Sequence, residues 1–231
     1  MRVAVIGAHP DDQELGMGGT IARLVREGHA VTLIDLTDGE PTPRGTPRRR
    51  AAEAKAAARI LGATRVQLGL RNRELADDLA ARHALANAIR RAQPEILFSH
   101  HGADAHPDHV AASRLAVAAR FAAKLTKSDL AGDPWFVPRH FQYFSVHLKS
   151  IPVPSFLVDT TGHAARKVRA IVAYKSQFVD HPPNRAIPKW IEAQDAYFGS
   201  RIGVATAEAF FSPEALQLEL SQYAAKGSRT R

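Results

Sequence analysis

A chain of 231 residues suits one α/β domain and leaves little room for two. It has no cysteine, which excludes disulfides, a cysteine nucleophile and a thiolate zinc site, so any metal must be held by imidazole and carboxylate. The balance is basic, 31 Lys and Arg against 23 Asp and Glu for a net +8, but no aromatic residues interleave with the scattered positives as a nucleic-acid stacking platform requires.

Residues 3–6, Val3-Ala4-Val5-Ile6, read as a short buried strand. A helix pattern over 15–27 stops at Gly28, and residues 31–36 form a second strand. A loop rich in Gly, Pro and Thr fills 37–47. An alanine-rich helix over 48–61 is stopped by Gly62, and 66–68 is a short strand. A helix over 79–92 ends before Pro94, then come a strand over 96–99 and a helix over 110–124. This alternation predicts a Rossmann-like, doubly wound, mostly parallel sheet in a single domain over 1–231. Residues 1–125 make the regular core. Over 126–231 the pattern loosens, with strands predicted at 141–147 and 156–158 and helices at 165–178 and 190–202. No signal peptide precedes the first strand, and no apolar run approaches the ~20 residues of a membrane span, so a soluble, cytoplasmic protein is expected.

Two polar clusters break into this pattern. His9-Pro10-Asp11-Asp12-Gln13-Glu14 follows the first strand, and His106-Pro107-Asp108-His109 follows the strand at 96–99. Either alone reads as a turn with helix-capping carboxylates. Together, at the carboxyl ends of two strands of one parallel sheet, they point to a shared site. A catalytic zinc takes three protein ligands and leaves a position for water. His9, Asp12 and one of His106 or His109 supply that set, and spacing does not say which histidine. Pro107 suits the first position of a helix, with His106 as its N-cap. Asp108 suits a hydrogen bond that fixes an imidazole tautomer. Asp11 is the spare carboxylate, placed to take a proton as general base. Zinc fits the donors, and another borderline divalent ion such as Fe2+ is the alternative.

Other features receive plainer readings. Gly16-Met17-Gly18-Gly19 invites a dinucleotide-binding assignment, but the spacing is not G-x-G-x-x-G and carboxylates occupy the phosphate position. His100 and His101 are adjacent on a strand and point to opposite faces, so they are given supporting or structural roles. His29, His83, His140, His147, His163 and His181 are read as surface or packing residues. An anionic-ligand or nucleic-acid module, motivated by the +8, is the reading from a different class.

The two clusters resemble the signature motifs of the PIG-L/LmbE-like de-N-acetylases, which remove acetyl groups from N-acetylglucosaminyl compounds with zinc on a Rossmann-like fold. The likeness extends through Asp35-Leu36-Thr37-Asp38-Gly39-Glu40, Arg44-Gly45-Thr46-Pro47, Leu68-Gly69-Leu70, Asn72-Arg73 and Ala173-Tyr174-Lys175-Ser176-Gln177-Phe178. It is most similar to the bacillithiol-biosynthesis branch, whose substrate is N-acetylglucosaminyl malate. The resemblance implies that His9, Asp12 and His109 bind Zn2+ and that Asp11 is the base. It implies that His106 stabilises the oxyanion and protonates the leaving amine, with Asp108 orienting it. Arg50, and less directly Arg139, would contact the sugar or its acidic aglycone. It also implies a small N-acetylated sugar as substrate, no nucleic-acid or membrane partner, and assembly as a homotrimer or hexamer.

Overall fold

The computed structural model describes residues 1–148, 150–217 and 219. Seven strands form one sheet: β1 Arg2–Gly7, β2 Ala30–Thr37, β3 Thr64–Leu70, β4 Ile96–His100, β5 Arg139–Tyr143, β6 Phe156–Asp159 and β7 Ala207–Phe211. The helices are α1 Asp12–Arg26, α2 Pro47–Leu61, α3 Leu79–Ala92, α4 Pro107–Ala123, α5 Ala164–Val172, α6 Lys175–Phe178 and α7 Ile187–Ile202. Strand order is β3-β2-β1-β4-β5-β7-β6. The first five run parallel, and β7 runs antiparallel to both β5 and β6.

β1 is apolar from Val3 to Ile6 because it is covered on both faces there. Val3 and Val5 pack with Leu15, Ile21 and Leu61, from α1 and α2, while Ala4 and Ile6 pack with Leu85, Ile89 and Leu115, from α3 and α4. The chain runs outward from β1 through β2 to β3, then returns to β4 on the other side of β1. That reversal opens a crevice beyond the carboxyl ends of β1 and β4, where both polar clusters follow. Among the described residues no helix is long and apolar enough to cross a membrane.

Local chemistry starts the helices where the spacing predicts. The Thr46 hydroxyl accepts from Arg49 N at 3.2 Å ahead of Pro47, and Asp78 accepts from Ala81 N at 2.8 Å. His106 caps α4, its Nδ1 accepting from Asp108 N at 3.2 Å with Pro107 in the first turn. α1 differs. Its first residue follows Asp11, which sits at φ 111° with no side-chain cap.

Three sequence expectations change. β7 has no counterpart among the predicted strands, because Ala-Glu-Ala-Phe-Phe is short and buries a glutamate in its middle. β5 ends at Tyr143 rather than 147, and the residues beyond it turn over the crevice. The helix expected over 165–178 breaks at Tyr174, whose hydroxyl reaches Arg65 at 2.7 Å in the core. The glycines of α1 serve close packing: a Cβ on Gly16 would lie 2.3 Å from the Tyr143 ring, and one on Gly19 would lie 2.9 Å from Thr160. α1 kinks there, at Met17, and the freed Gly19 and Thr20 N–H groups donate to Glu208 at 2.9 and 2.6 Å. Of the scattered basic residues, those at 226–231 lie outside the described residues.

Candidate active site

The turn after β1 and the start of α4 meet in the crevice. His9, Asp12 and His109 each bring one ligand-capable atom into a group spanning no more than 4.8 Å. His9 Nδ1 is 3.5 Å from Asp12 Oδ2, and His109 Nε2 is 3.3 Å from Asp12 Oδ1. The far nitrogen of each ring is held by a carboxylate: His9 Nε2 lies 3.1 Å from Asp108 Oδ2, and His109 Nδ1 lies 3.2 Å from Asp104 Oδ2. This is how metal-binding imidazoles are oriented and their tautomers fixed.

Asp12 is anchored from behind. His9 N donates to its Oδ2 at 2.7 Å, and His100 Nε2 approaches the same oxygen at 3.0 Å. His100 is fully buried and also meets Tyr143 Oη at 3.1 Å. Its neighbour His101 faces away, between Phe144 and Phe211.

The donor set fits a zinc ion: two imidazoles and a carboxylate, with one buried nitrogen, His109 Nε2, making no hydrogen bond. Without a cation the charges redistribute onto protons. Burial alone lowers His9, yet hydrogen bonds to Asp108 and Asp12 outweigh it and raise the imidazole to about 10. His109 rises to about 9 as Asp12 and Asp104 overcome its burial. Burial would raise Asp12, but the His109 and His100 imidazoles hold it well below the usual carboxylate range.

Asp11 sits beside this group and outside it. Its left-handed backbone is strained for a residue with a side chain, a feature that clusters at functional sites. Burial pushes its carboxyl up to about 6 against the pull of Arg50. Arg50 Nη1 lies 3.2 Å from Asp11 Oδ2, and its Nη2 donates to Pro10 O at 2.8 Å. Arg50 is 2% exposed, so this helix-start arginine is a clamp on the turn as well as part of the cavity wall. The cavity holds about 250 Å³, and its lining includes the polar residues Arg73, Asn72, Asn184 and His106 and the apolar residues Leu15, Val146, Phe178 and Ile187.

Three expectations are corrected. Asp108 orients His9, not His106; its Oδ2 also accepts from Arg73 N at 2.7 Å. Arg139 does not reach the site. It opens β5, paired with Ile96 at the start of β4, and in a parallel pair that is the opposite end from the crevice. His147 is not a bystander: the turn after β5 brings its ring within 5.4 Å of His106, and it lines the cavity. Asp104 and Ser145 carry no signal in the sequence. Asp104 lies two residues before a motif, and Ser145 falls inside a predicted strand.

The chain matches the family model "PIG-L: GlcNAc-PI de-N-acetylase" over residues 4–120. It is 32% identical over 193 residues to a diacetylchitobiose deacetylase of Thermococcus kodakarensis, covering 77% of this chain and 70% of that protein. The chain belongs to the PIG-L family. It is also 31% identical over 192 residues to a 1D-myo-inositol 2-acetamido-2-deoxy-alpha-D-glucopyranoside deacetylase of Streptomyces avermitilis, covering 66% of this chain and 62% of that protein. Among solved structures, the conserved protein TT1542 from Thermus thermophilus superimposes with a TM-score of 0.88 at 41% identity, covering 95% of this chain and 97% of that one. Both polar clusters lie inside the family match, whereas Val146, Phe178, Asn184 and Ile187 on the cavity wall lie beyond it.

Proposed function

We propose that the chain is a zinc-dependent deacetylase acting on a small N-acetylglucosaminyl conjugate. The observation that carries this is Asp11, a carboxylate left outside the His9, Asp12 and His109 set and held beside it at the floor of a sugar-sized cavity. The two curated relatives, named for removing acetyl from chitobiose and from a glucosaminyl inositol, support the same chemistry. His9, Asp12 and His109 would hold the metal, which when bound supplies Lewis acidity to the water and the amide carbonyl.

Asp11 takes the proton of the attacking water as general base. Arg50 keeps that carboxylate aimed and its turn rigid. His106 spends its Nδ1 lone pair on the α4 cap, which leaves Nε2 as the N–H donor. Burial first, then the adjacent His109 and His9, push it down to about 4, so it acts as a neutral donor to the oxyanion. The protonated Asp11 and His106 are the two groups placed to return a proton to the leaving amine.

For the aglycone, we favour a carboxylate-bearing group such as the malate of a bacillithiol precursor. The support is positive charge on the cavity wall from Arg73, of the kind that pairs with carboxylates, Arg50 being already paired with Asp11. The inositol conjugate and diacetylchitobiose are the rival substrates. Acetate release by zinc-loaded protein from these three and from N-acetylglucosamine tests the reading. A kcat/KM for the malate conjugate at least about tenfold above the others is expected, the discrimination of a well-placed charged contact. Preference for inositol or chitobiose would replace the aglycone, and no acetate from any of them would overturn the activity. The expected homotrimer or hexamer is read by sedimentation of the same preparation.

A further inference from the structure

Asp104 belongs to neither motif, yet it touches both functional histidines of the second one. Its Oδ1 accepts from His106 N at 2.8 Å, and its Oδ2 lies 3.2 Å from His109 Nδ1. Ser145 donates its hydroxyl to the same Oδ2 and stands 3.1 Å from His109 Nδ1. The Asp104 and His109 side chains are each 1% exposed, so water does not compete for these bonds.

An imidazole that donates from Nδ1 keeps its lone pair on Nε2. On His109, Nε2 is the atom that faces Asp12 and has no hydrogen-bond partner. Facing a carboxylate oxygen at 3.3 Å without a well-aligned hydrogen bond, that lone pair points to where a cation shared with Asp12 would sit. We infer that Asp104 and Ser145 are positioning residues that fix the tautomer and aim of His109 toward a zinc ion, an inference that rests on the metal reading above. Asp104 does for His109 what Asp108 does for His9. Its place at the amino end of α4, where the helix dipole favours negative charge, keeps it an acceptor. Ser145 adds a mechanical link. It lies in the turn after β5 that carries Val146 and His147 to the cavity wall, so the hydroxyl ties that wall to the metal ligand.

Zinc affinity decides the matter, measured on the full chain by competition with a chromophoric chelator, with thermal unfolding of the metal-free proteins alongside. Asp104→Ala is expected to weaken zinc about 10–100-fold, the usual cost of losing such a partner. Ser145→Ala is expected to weaken it less and in the same direction, with unfolding of the metal-free form unchanged. Should Asp104→Ala fail to fold, Asp104→Asn, which keeps the shape, carries the test with Ser145→Ala. Zinc affinity within about twofold of the parent in both folded variants, well short of that usual cost, overturns the inference. A lowered unfolding midpoint without a zinc effect also overturns it and assigns the pair to the turn alone. A parent chain that binds no stoichiometric zinc overturns the metal reading, and this inference with it.

Discussion

Asp11 and Asp12 are chemically identical neighbours that their surroundings separate. Asp12 is enclosed by His9, His100 and His109 and stays ionised; Asp11 faces the cavity beside one arginine and is pushed up to about 6. A base near that value can both take and return a proton at neutral pH. Asp11→Asn is therefore expected to cut kcat by about 10²–10⁴-fold while zinc content, read by metal analysis, stays stoichiometric. Asp12→Asn is expected to lose the metal itself. If the two variants lose zinc equally, the division of labour between the carboxylates is wrong. Asp108→Ala belongs at this scale too. Because its carboxylate holds His9 rather than His106, its effect should appear as weaker zinc binding, by about tenfold or more, and not as a kcat effect at saturating metal.

At the scale of elements, α1 shows how a helix is broken on purpose. Its glycines admit Tyr143, Lys167 and Thr160 side chains too close for any Cβ, and the kink at Met17 frees two N–H groups. Glu208 from β7 accepts both, and the buried Lys167 Nζ pairs with Glu208 at 2.7 Å and with Asp195 at 2.8 Å. Glu208→Ala would strand two buried N–H groups and leave the buried Lys167 ammonium with Asp195 alone. Removing one partner of such a buried pair costs about 3–5 kcal/mol, a loss that urea unfolding would register directly. A cost under about 1 kcal/mol would mean that water replaces the carboxylate. Gly16→Ala should also destabilise, since the Tyr143 ring that it meets at 2.3 Å is fully buried and cannot step aside.

For the whole molecule, acid and metal act on the folding equilibrium in ways that can be told apart. His140 is buried against Ser99 Oγ at 2.9 Å, and burial, then the charge of Arg120, lower its imidazole to about 4 from 6.5. Between those values the unfolded chain binds more protons than the fold, so stability falls as pH drops from 6.5 toward 4. The full shift is worth about 3 kcal/mol. Unfolding midpoints of the metal-free chain across this range should show the loss, and His140→Gln should reduce it by one imidazole's share, since His100 and His106 are lowered to about 4 as well. Zinc is expected to raise stability by about 2.7 kcal/mol at a free concentration about 100 times its Kd, and a chelator should remove that increment. A chain whose midpoint ignores both zinc and chelator would argue against the metal.

The parallel sheet was legible in the chain alone, because β1 and β4 carry short apolar runs, Val3–Ile6 and Ile96–Phe98, of the kind that a layer covered on both faces requires. The two polar clusters were legible as a pair, since at the ends of two parallel strands they point to one site where either alone reads as a turn, and Pro107 and His106 at the start of α4 follow from local chemistry alone. The rest depends on residues far apart in the chain. Asp104, Ser145 and His147 join the site through the turn after β5, with no short-range pattern to mark them. The partner of Asp108 is set by which imidazole of another segment stands opposite it, and the distance of Arg139 from the site by the direction of a parallel strand. Spacing records which residues a short segment can bring together; it carries no information on which end of the sheet a distant strand presents to them.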